Sequence, residues 1–194
     1  HVKALIYFKK SLENLDYNTK KEDLKKTFKS ENAILLANSL LRIGTEYFEL
    51  EKSDSAQFYF KKILEIPSFN DKITSIKAST YSNLSGTYLK DTLFTEAKKY
   101  AKKAVNIHKK NNNKVSQAAA VGNLASIFLE EKKYRKAKDL YISAIDLIKK
   151  DTTITSRKYQ EYLLYNLAWT LYLLKDHTAY EFQEKSYLIK DDLR

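Results

Sequence analysis

The chain has 194 residues, of which 43% are hydrophobic, and 35 Lys and Arg against 24 Asp and Glu give it a formal net charge of +11. Three glycines and one proline are few for a fold that depends on strands and tight turns, so the composition predicts an all-α protein with a hydrophobic core. The absence of cysteine excludes disulfides, thiol catalysis and Cys-based zinc sites.

The first 30 residues combine an apolar stripe with a polar stretch. Large apolar residues at helical spacing in residues 1–14 predict the second helix of a pair whose first helix is cut away. Residues 15–30 are polar and lysine-rich, and they predict either a short helix or a loose connection. We therefore assign residues 1–30 to a partial N-terminal helix pair and its connection.

From residue 31 onward the chain repeats a pattern of two amphipathic helices. Pro67 cannot continue a helix, and Asn70 can cap the next one. Equivalent apolar residues, at intervals of 41, 40 and 43, are Ile43, Leu84, Leu124 and Leu167. This period predicts a solenoid of about four helix pairs, over residues 31–67, 71–110, 114–150 and 155–190.

The repeated unit is clearest between Val121 and Ala144. Its first helix has a Leu-small-x-x-aromatic pattern from Leu124, and its second helix has an Ala-x-x-x-aromatic-x-x-Ala pattern from Ala137. This pairing resembles the tetratricopeptide repeat (TPR) family over residues 31–190. The resemblance implies a right-handed superhelical solenoid of antiparallel helix pairs whose first helices line a concave groove. The period exceeds the 34 residues usual for TPR units, and HEAT-like helical pairs are the structural alternative.

The resemblance also implies which side chains border the groove. They are the residues before each key apolar position, namely Arg42, Asn83, Asn123 and Asn166. A side-chain amide can donate and accept hydrogen bonds, so repeated asparagines would be able to hold an extended peptide backbone. The alternative is that these amides bond locally between helices as part of the scaffold.

Small residues form the predicted floor of the groove. Ser79, Ser82 and Gly86 share a helical face with Asn83, while Ala119, Gly122 and Ser126 lie beside Asn123. Glycine within a helix costs about 0.5–1 kcal/mol relative to alanine, so glycines on this face need a reason. We favour close approach of a ligand backbone over its alternative, tight packing between adjacent first helices.

An aromatic stripe at spacings of three and four follows in the last unit, formed by Tyr162, Tyr165, Trp169 and Tyr172. Aromatic side chains with polar groups are typical binding anchors, which makes Tyr165 and Trp169 candidate groove residues. A helix beyond the end of this chain would also cover such a stripe. We favour that second interpretation for the stripe as a whole.

No catalytic or metal-binding pattern is present. His1, His108 and His177 lie far apart and do not have the spacing of metal ligands. The sequence contains no glycine-rich phosphate loop and no nucleophile elbow. We therefore expect no enzymatic activity, no catalytic residue, no metal site and no cofactor.

The positive charge is distributed in scattered lysine pairs, mostly on second helices, which predicts a solvated outer face. Nucleic acid is therefore not the favoured partner, although a basic nucleic-acid-binding helical repeat is one alternative. No apolar run is long enough to cross a bilayer, so a membrane would be reached only through sequence outside these residues. The sequence begins at His1 and lacks methionine, so we expect a fragment or a processed chain.

The predicted function is a non-catalytic scaffold that binds a protein or peptide segment in its concave groove. Residues 165–194 resemble the end of TPR arrays in bacterial membrane regulators. This resemblance implies the sensory or regulatory portion of a larger bacterial signalling or transcription-regulating protein, on the periplasmic side of a membrane. The alternative is a cytoplasmic signalling-peptide receptor of the quorum-sensing TPR type. The groove would hold either a partner or the protein's own missing terminal segment.

Overall fold

The computed structural model describes Ile6 and residues 30–194, so the predicted helix pair over residues 1–30 lies outside the described residues except for Ile6, which is helical. Between Ser30 and Asp192 all regular structure is α-helical. The eight helices there are α1 (Ser30–Glu49), α2 (Ser53–Glu65), α3 (Asp71–Lys90), α4 (Phe94–Lys110), α5 (Lys114–Glu130), α6 (Tyr134–Ile148), α7 (Ile154–Leu173) and α8 (Ala179–Asp192). The prediction of an all-α helical repeat is confirmed.

Side-chain caps determine where three of the first helices begin. The side-chain oxygens of Asn70, Asn113 and Thr153 accept hydrogen bonds from the backbone N–H three residues later, at 2.9, 3.0 and 3.3 Å. Each of these bonds satisfies a backbone donor that has no partner within the helix. Helices α3, α5 and α7 therefore begin where the sequence provides a capping side chain.

Five turns share one helix-ending geometry. At the end of α5, the N–H of Lys132 donates to the carbonyl of Leu129 at 2.9 Å, and the N–H of Lys133 donates to that of Phe128 at 2.8 Å. This pair of bonds is a Schellman motif. It requires a positive φ at the first of the two donor residues, which here is Lys132. The residues with φ between 52° and 60° at these turns are Glu51, Thr92, Asn112, Lys132 and Lys175.

The chain divides into two compact units, with unit 1 ending at Leu93 and unit 2 running from Phe94 to Arg194. In unit 1 the described helices are α1, α2 and α3, each of which packs against the other two. In unit 2 each helix from α4 to α8 packs against the next, and α5 also packs against α7. The boundary falls inside the predicted unit 71–110, because α3 belongs to unit 1 and α4 to unit 2.

The core of unit 1 combines the predicted apolar positions with one close helix contact. Ile43, Phe60 and Leu84 are fully buried. A Cβ atom built on Gly44 would lie 2.5 Å from the Phe60 ring, so only glycine permits α2 to approach α1 this closely.

The core of unit 2 is built around small residues on its second helices. Ala97, Ala137 and Ala144 are fully buried, as the repeat pattern predicts, and Tyr141 is buried between the last two of them. Leu163 and Leu167 contribute the α7 side of this core. Leu124 is only half-buried, whereas the neighbouring Ala125 is completely buried.

Candidate functional site

In unit 1 the predicted groove residues lie on α1 and α3 and differ in exposure. Arg42 is exposed, while Ser79, Ser82 and Asn83 are half-buried. The Asn83 side-chain amide donates to Thr45 Oγ1 on α1 at 3.5 Å, which is a long bond between helices. Such a bond agrees with the interpretation of this asparagine as a local scaffold residue.

The two predicted floor glycines have different surroundings. A Cβ atom on Gly86 would meet only the tip of the Phe48 ring, at 3.9 Å, so this position has ordinary space around it. A Cβ atom on Gly122 would lie 2.6 Å from Leu163 Cδ2. Gly122 is buried, and tight packing of α5 against α7 is the reason for glycine there. The expectation that Gly122 offers open floor to a ligand is therefore wrong, since Leu163 occupies that space.

Ser126, another predicted floor residue, is part of a cluster of three hydroxyl groups. Its Oγ lies 2.8 Å from Tyr141 Oη on α6 and 3.0 Å from Tyr162 Oη on α7, and it also donates to the Gly122 carbonyl at 3.1 Å. Burial raises the pKa of both tyrosine hydroxyls above the ordinary value. The cluster links three helices of unit 2 and leaves little of the Ser126 hydroxyl for a ligand.

The two predicted asparagines of unit 2 are half-buried and lie on α5 and α7. The Asn166 amide donates to the carbonyl of Tyr162, one turn earlier on its own helix, at 2.8 Å. This bond orients the Asn166 side chain along α7. This bond of Asn166 stays within α7, whereas the Asn83 amide donates to a neighbouring helix.

The aromatic stripe on α7 divides into two parts. Tyr162 uses its hydroxyl in the cluster just described, whereas the remaining three residues are 51–61% exposed: Tyr165, Trp169 and Tyr172. The Trp169 and Tyr172 rings are stacked, with centroids 5.4 Å apart and planes 19° apart. No described residue covers these three side chains, so they are not part of the core of unit 2.

These aromatic residues form one wall of a cleft between α7 and α8, which we call the aromatic cleft. Its volume is about 300 Å³. Tyr165, Trp169 and Tyr172 line it from α7, and Tyr180 and Gln183 line it from α8. Ala168 and Ala179 complete the lining. A shallow aromatic surface with a few polar groups is suited to anchoring a side chain of a bound segment.

Tyr180 and Gln183 are not among the residues that the sequence pattern predicts for the site. The helical spacing of Ala179, Phe182 and Ser186 predicts the apolar face of α8, and Ala179 and Ser186 are buried. The opposite face carries Tyr180, Gln183 and Tyr187 at spacings of three and four. The two tyrosines of this face, at positions opposite the apolar face, could have indicated a binding surface from the sequence alone.

The described residues offer no group of His, Asp and Glu side chains that would hold a metal ion. His108 is buried on α4, where desolvation lowers the pKa of its imidazole, and His177 is exposed in the turn before α8. None of the helices that the structure describes combines the length and apolar character that crossing a bilayer requires.

Two sequence-family models with the description tetratricopeptide repeat match the chain. One matches residues 77–150 and the other residues 37–70. No curated protein matches the chain in sequence.

Several solved structures share the fold at low sequence identity. Apo RapI is 17% identical with a TM-score of 0.72, and the match covers 88% of this chain and 60% of RapI. BtubC from P. vanneervenii is 15% identical with a TM-score of 0.71, covering 96% and 74% of the two chains. A protein of TPR-like repeats from Podosopora anserina is 15% identical with a TM-score of 0.58, covering 96% and 89%. The chain thus spans about three fifths of the length of RapI.

Proposed function

We propose that this chain, which belongs to the tetratricopeptide repeat family, is a non-catalytic scaffold that binds a protein or peptide segment through the aromatic cleft of unit 2. The observation that carries the proposal is the exposure of Trp169 and Tyr172 as a stacked pair beside a cleft of about 300 Å³. Large aromatic side chains are frequent energetic centres of protein interfaces. Their exposure costs hydrophobic free energy that a bound segment would recover.

The predicted asparagines belong to the proposal as secondary contacts. Asn166 lies on α7, the helix that forms the aromatic wall, and its side chain is held by the Tyr162 carbonyl. A separate proposed surface in unit 1 is supported by the ordinary space around Gly86, where an added Cβ would meet only the Phe48 ring at 3.9 Å. Its residues are Arg42, Ser79, Ser82, Asn83 and Gly86.

The biological setting also belongs to the proposal. The resemblance of residues 165–194 to bacterial TPR arrays supports a sensory or regulatory portion of a larger signalling or transcription-regulating protein. A cytoplasmic signalling-peptide receptor is the second setting, and the occupant of the cleft in either case is a partner segment or a terminal segment of the same protein.

Selection of random peptides against the immobilised 194-residue chain tests this function. We expect the selected peptides to bind the parent and to lose at least tenfold in affinity, about 1.4 kcal/mol, in the Trp169→Ala and Tyr172→Ala variants. The matched control is Tyr159→Ala, which removes a tyrosine of α7 that is 38% exposed and lies outside the cleft.

Both test residues are exposed, so their truncation leaves the core of unit 2 in place, and circular dichroism checks this for each variant. If Trp169→Ala and Tyr172→Ala bound the selected peptides like the parent, the aromatic cleft would not be the binding site.

A further inference from the structure

The aromatic cleft continues along α8 into a second, open recess. That recess is lined by Tyr180, Gln183, Glu184, Tyr187, Leu188 and Asp191. Tyr180 and Gln183 line both depressions, so the aromatic end and the carboxylate end belong to one continuous area. We call this area the C-terminal surface.

The charge of the C-terminal surface is opposite to that of the chain. Neither recess has a Lys or Arg among its described lining residues, although the chain has a formal net charge of +11. Its two charged residues are carboxylates. Asp191 pairs with the exposed Arg194 at 3.3 Å, whereas no cation in the described part of the chain forms an ion pair with Glu184.

The aromatic rings of this surface also differ from others in unit 2. Lys98 and Lys136 each place their Nζ 5.8 Å from the centroid of the Phe128 ring, and Lys185 lies 5.1 Å from that of Phe182. Among the described lysines, none lies over the Trp169 or Tyr172 ring. A cation within about 6 Å of such a face is attracted by the ring quadrupole, and tryptophan binds cations best.

We propose that the C-terminal surface binds a basic peptide segment of a partner protein. An Arg or Lys side chain of the segment lies at the boundary of the two recesses formed by Tyr180 and Gln183, with the stacked Trp169–Tyr172 pair on one side and the Glu184 carboxylate on the other. An apolar neighbour in the segment contacts Tyr187 and Leu188, which are both more than half exposed. This inference rests on the proposed peptide-binding function and specifies the chemistry of its ligand.

The test uses the fluorescence of Trp169, which is the only tryptophan in the sequence. The 194-residue chain is titrated with acetylated, amidated pentapeptides Leu-Ala-X-Ala-Leu, in which X is Arg, Lys, citrulline or Glu. Citrulline has the shape of arginine without its charge. We expect the Arg and Lys peptides to bind at least fivefold more tightly than the citrulline peptide, and the Glu peptide to bind more weakly still.

Glu184→Gln should reduce the preference for Arg over citrulline to less than twofold. The matched control is Glu181→Gln, which removes an exposed carboxylate of α8 outside both recesses and should leave the preference unchanged. Because the interaction is electrostatic and exposed, added salt should also reduce the preference.

Four results would overturn the inference. Equal binding of the citrulline and Arg peptides would show an apolar cleft without selection for charge, and the proposed peptide-binding function would then stand without this ligand class. The inference would also be contradicted if none of the peptides gave a saturable change in Trp169 fluorescence. An unchanged preference for Arg over citrulline in Glu184→Gln would contradict it as well. Concentration-dependent dimerisation that is lost in Trp169→Ala would identify a second copy of this basic chain as the occupant instead.

Discussion

At Gly122 the backbone of α5 lies so close to α7 that a Cβ atom would meet Leu163 Cδ2 at 2.6 Å. Leu163 is fully buried and has little freedom to move away. At Gly86 such a Cβ atom would meet only the tip of the Phe48 ring, at 3.9 Å. The two glycines therefore occupy similar places in the repeat pattern for different reasons, and only Gly122 is required by packing.

This difference predicts opposite effects of alanine. Gly86→Ala should stabilise unit 1 by about 0.5–1 kcal/mol, because alanine favours the helix and nothing obstructs its methyl group. Gly122→Ala gains the same helix preference but overpacks the contact with Leu163, which typically costs about 1–3 kcal/mol. Urea unfolding of both variants measures the free energies. Equal stabilisation by the two substitutions would contradict the packing role of Gly122.

Ser126 shows a limit of residue patterns. Its helical spacing correctly placed it near Asn123 on α5, but its hydroxyl partners come from Tyr141 and Tyr162, which are 15 and 36 residues away. A pattern in one helix does not reveal which polar groups of two other helices meet it. For this reason the predicted open floor is in fact a hydrogen-bonded link between three helices.

At the level of the element, the five Schellman turns use no glycine at the position with positive φ. Most L-residues pay about 1–2 kcal/mol in this conformation, whereas asparagine is better tolerated there. Lys132 adopts φ of 60° and Asn112 adopts φ of 52°. The turns thus depend on the Schellman hydrogen bonds and on the packing of the helices they join.

Glycine at these turns should stabilise the protein. We expect Lys132→Gly to raise the free energy of unfolding by about 0.5–1 kcal/mol, because relief of the left-handed strain exceeds the extra entropy of glycine in the unfolded chain. Asn112→Gly is the matched comparison and should give a smaller gain. Denaturant titration provides the measurement, and a loss of stability in Lys132→Gly would refute this account of the turns.

A polar contact recurs between the fifth residue of the second helices α2, α4 and α6 and the turn of the following repeat. Gln57 donates to Asp91 at 2.9 Å, Lys98 to Glu131 at 2.7 Å, and Lys138 to Asp176 at 3.1 Å. The Lys98 hydrogen bond lowers the pKa of the Glu131 carboxyl. Hydrogen bonds from Thr178, together with that from Lys138, lower the pKa of Asp176 to about 2.

The Glu131 contact predicts a specific response to acid. Since its pKa is lower in the folded state than in the unfolded state, the contact stabilises the protein at neutral pH, and this contribution is lost as the pH falls below about 4.5 and through the folded pKa. Glu131→Gln should cost about 0.5–1 kcal/mol at pH 7 and should reduce the dependence of unfolding free energy on pH in the acid range. Glu130→Gln, which removes an exposed neighbouring carboxylate, is the control. Identical pH dependence of parent and Glu131→Gln would rule out this contribution.

At the level of the whole molecule, much of the repeat architecture could be predicted from the sequence. The period of the apolar residues and the capping Asn70 placed the helix pairs, because both are local properties of the chain. The division at Leu93 was not predictable, since it follows from contacts in three dimensions and not from a local property of the chain. The contribution of α8 to the aromatic cleft also depends on three-dimensional placement.

The turn before α8 is one reason why the α8 side of the aromatic cleft was hard to predict. After α1, α3 and α5, five positions separate the residue of positive φ from the next buried alanine along the chain, as from Lys132 to Ala137. From Lys175 to Ala179 the separation is four, so the last unit is one residue shorter. A shorter turn changes the rotational position of α8, and pattern alone did not identify which α8 side chains would line a cleft.

Among the described residues, exposed lysines on second helices contribute to the net charge of the molecule, including Lys99, Lys102 and Lys103 on α4. A random-sequence DNA duplex titrated in about 0.15 M salt, with fluorescence anisotropy as the readout, should bind weakly and lose its affinity as salt is added. Tight binding that persists at this salt concentration would favour the nucleic-acid alternative over the peptide-binding scaffold.

The central claim is that the aromatic cleft between α7 and α8 is where this scaffold binds its partner. Acrylamide quenching of the fluorescence of Trp169, the only tryptophan, tests it most directly. In the free protein Trp169 is 51% exposed, so we expect efficient quenching, and a bound peptide chosen by selection against the parent chain should reduce the quenching constant severalfold. If the peptide binds while the quenching constant stays the same, the binding site lies elsewhere and the claim is wrong.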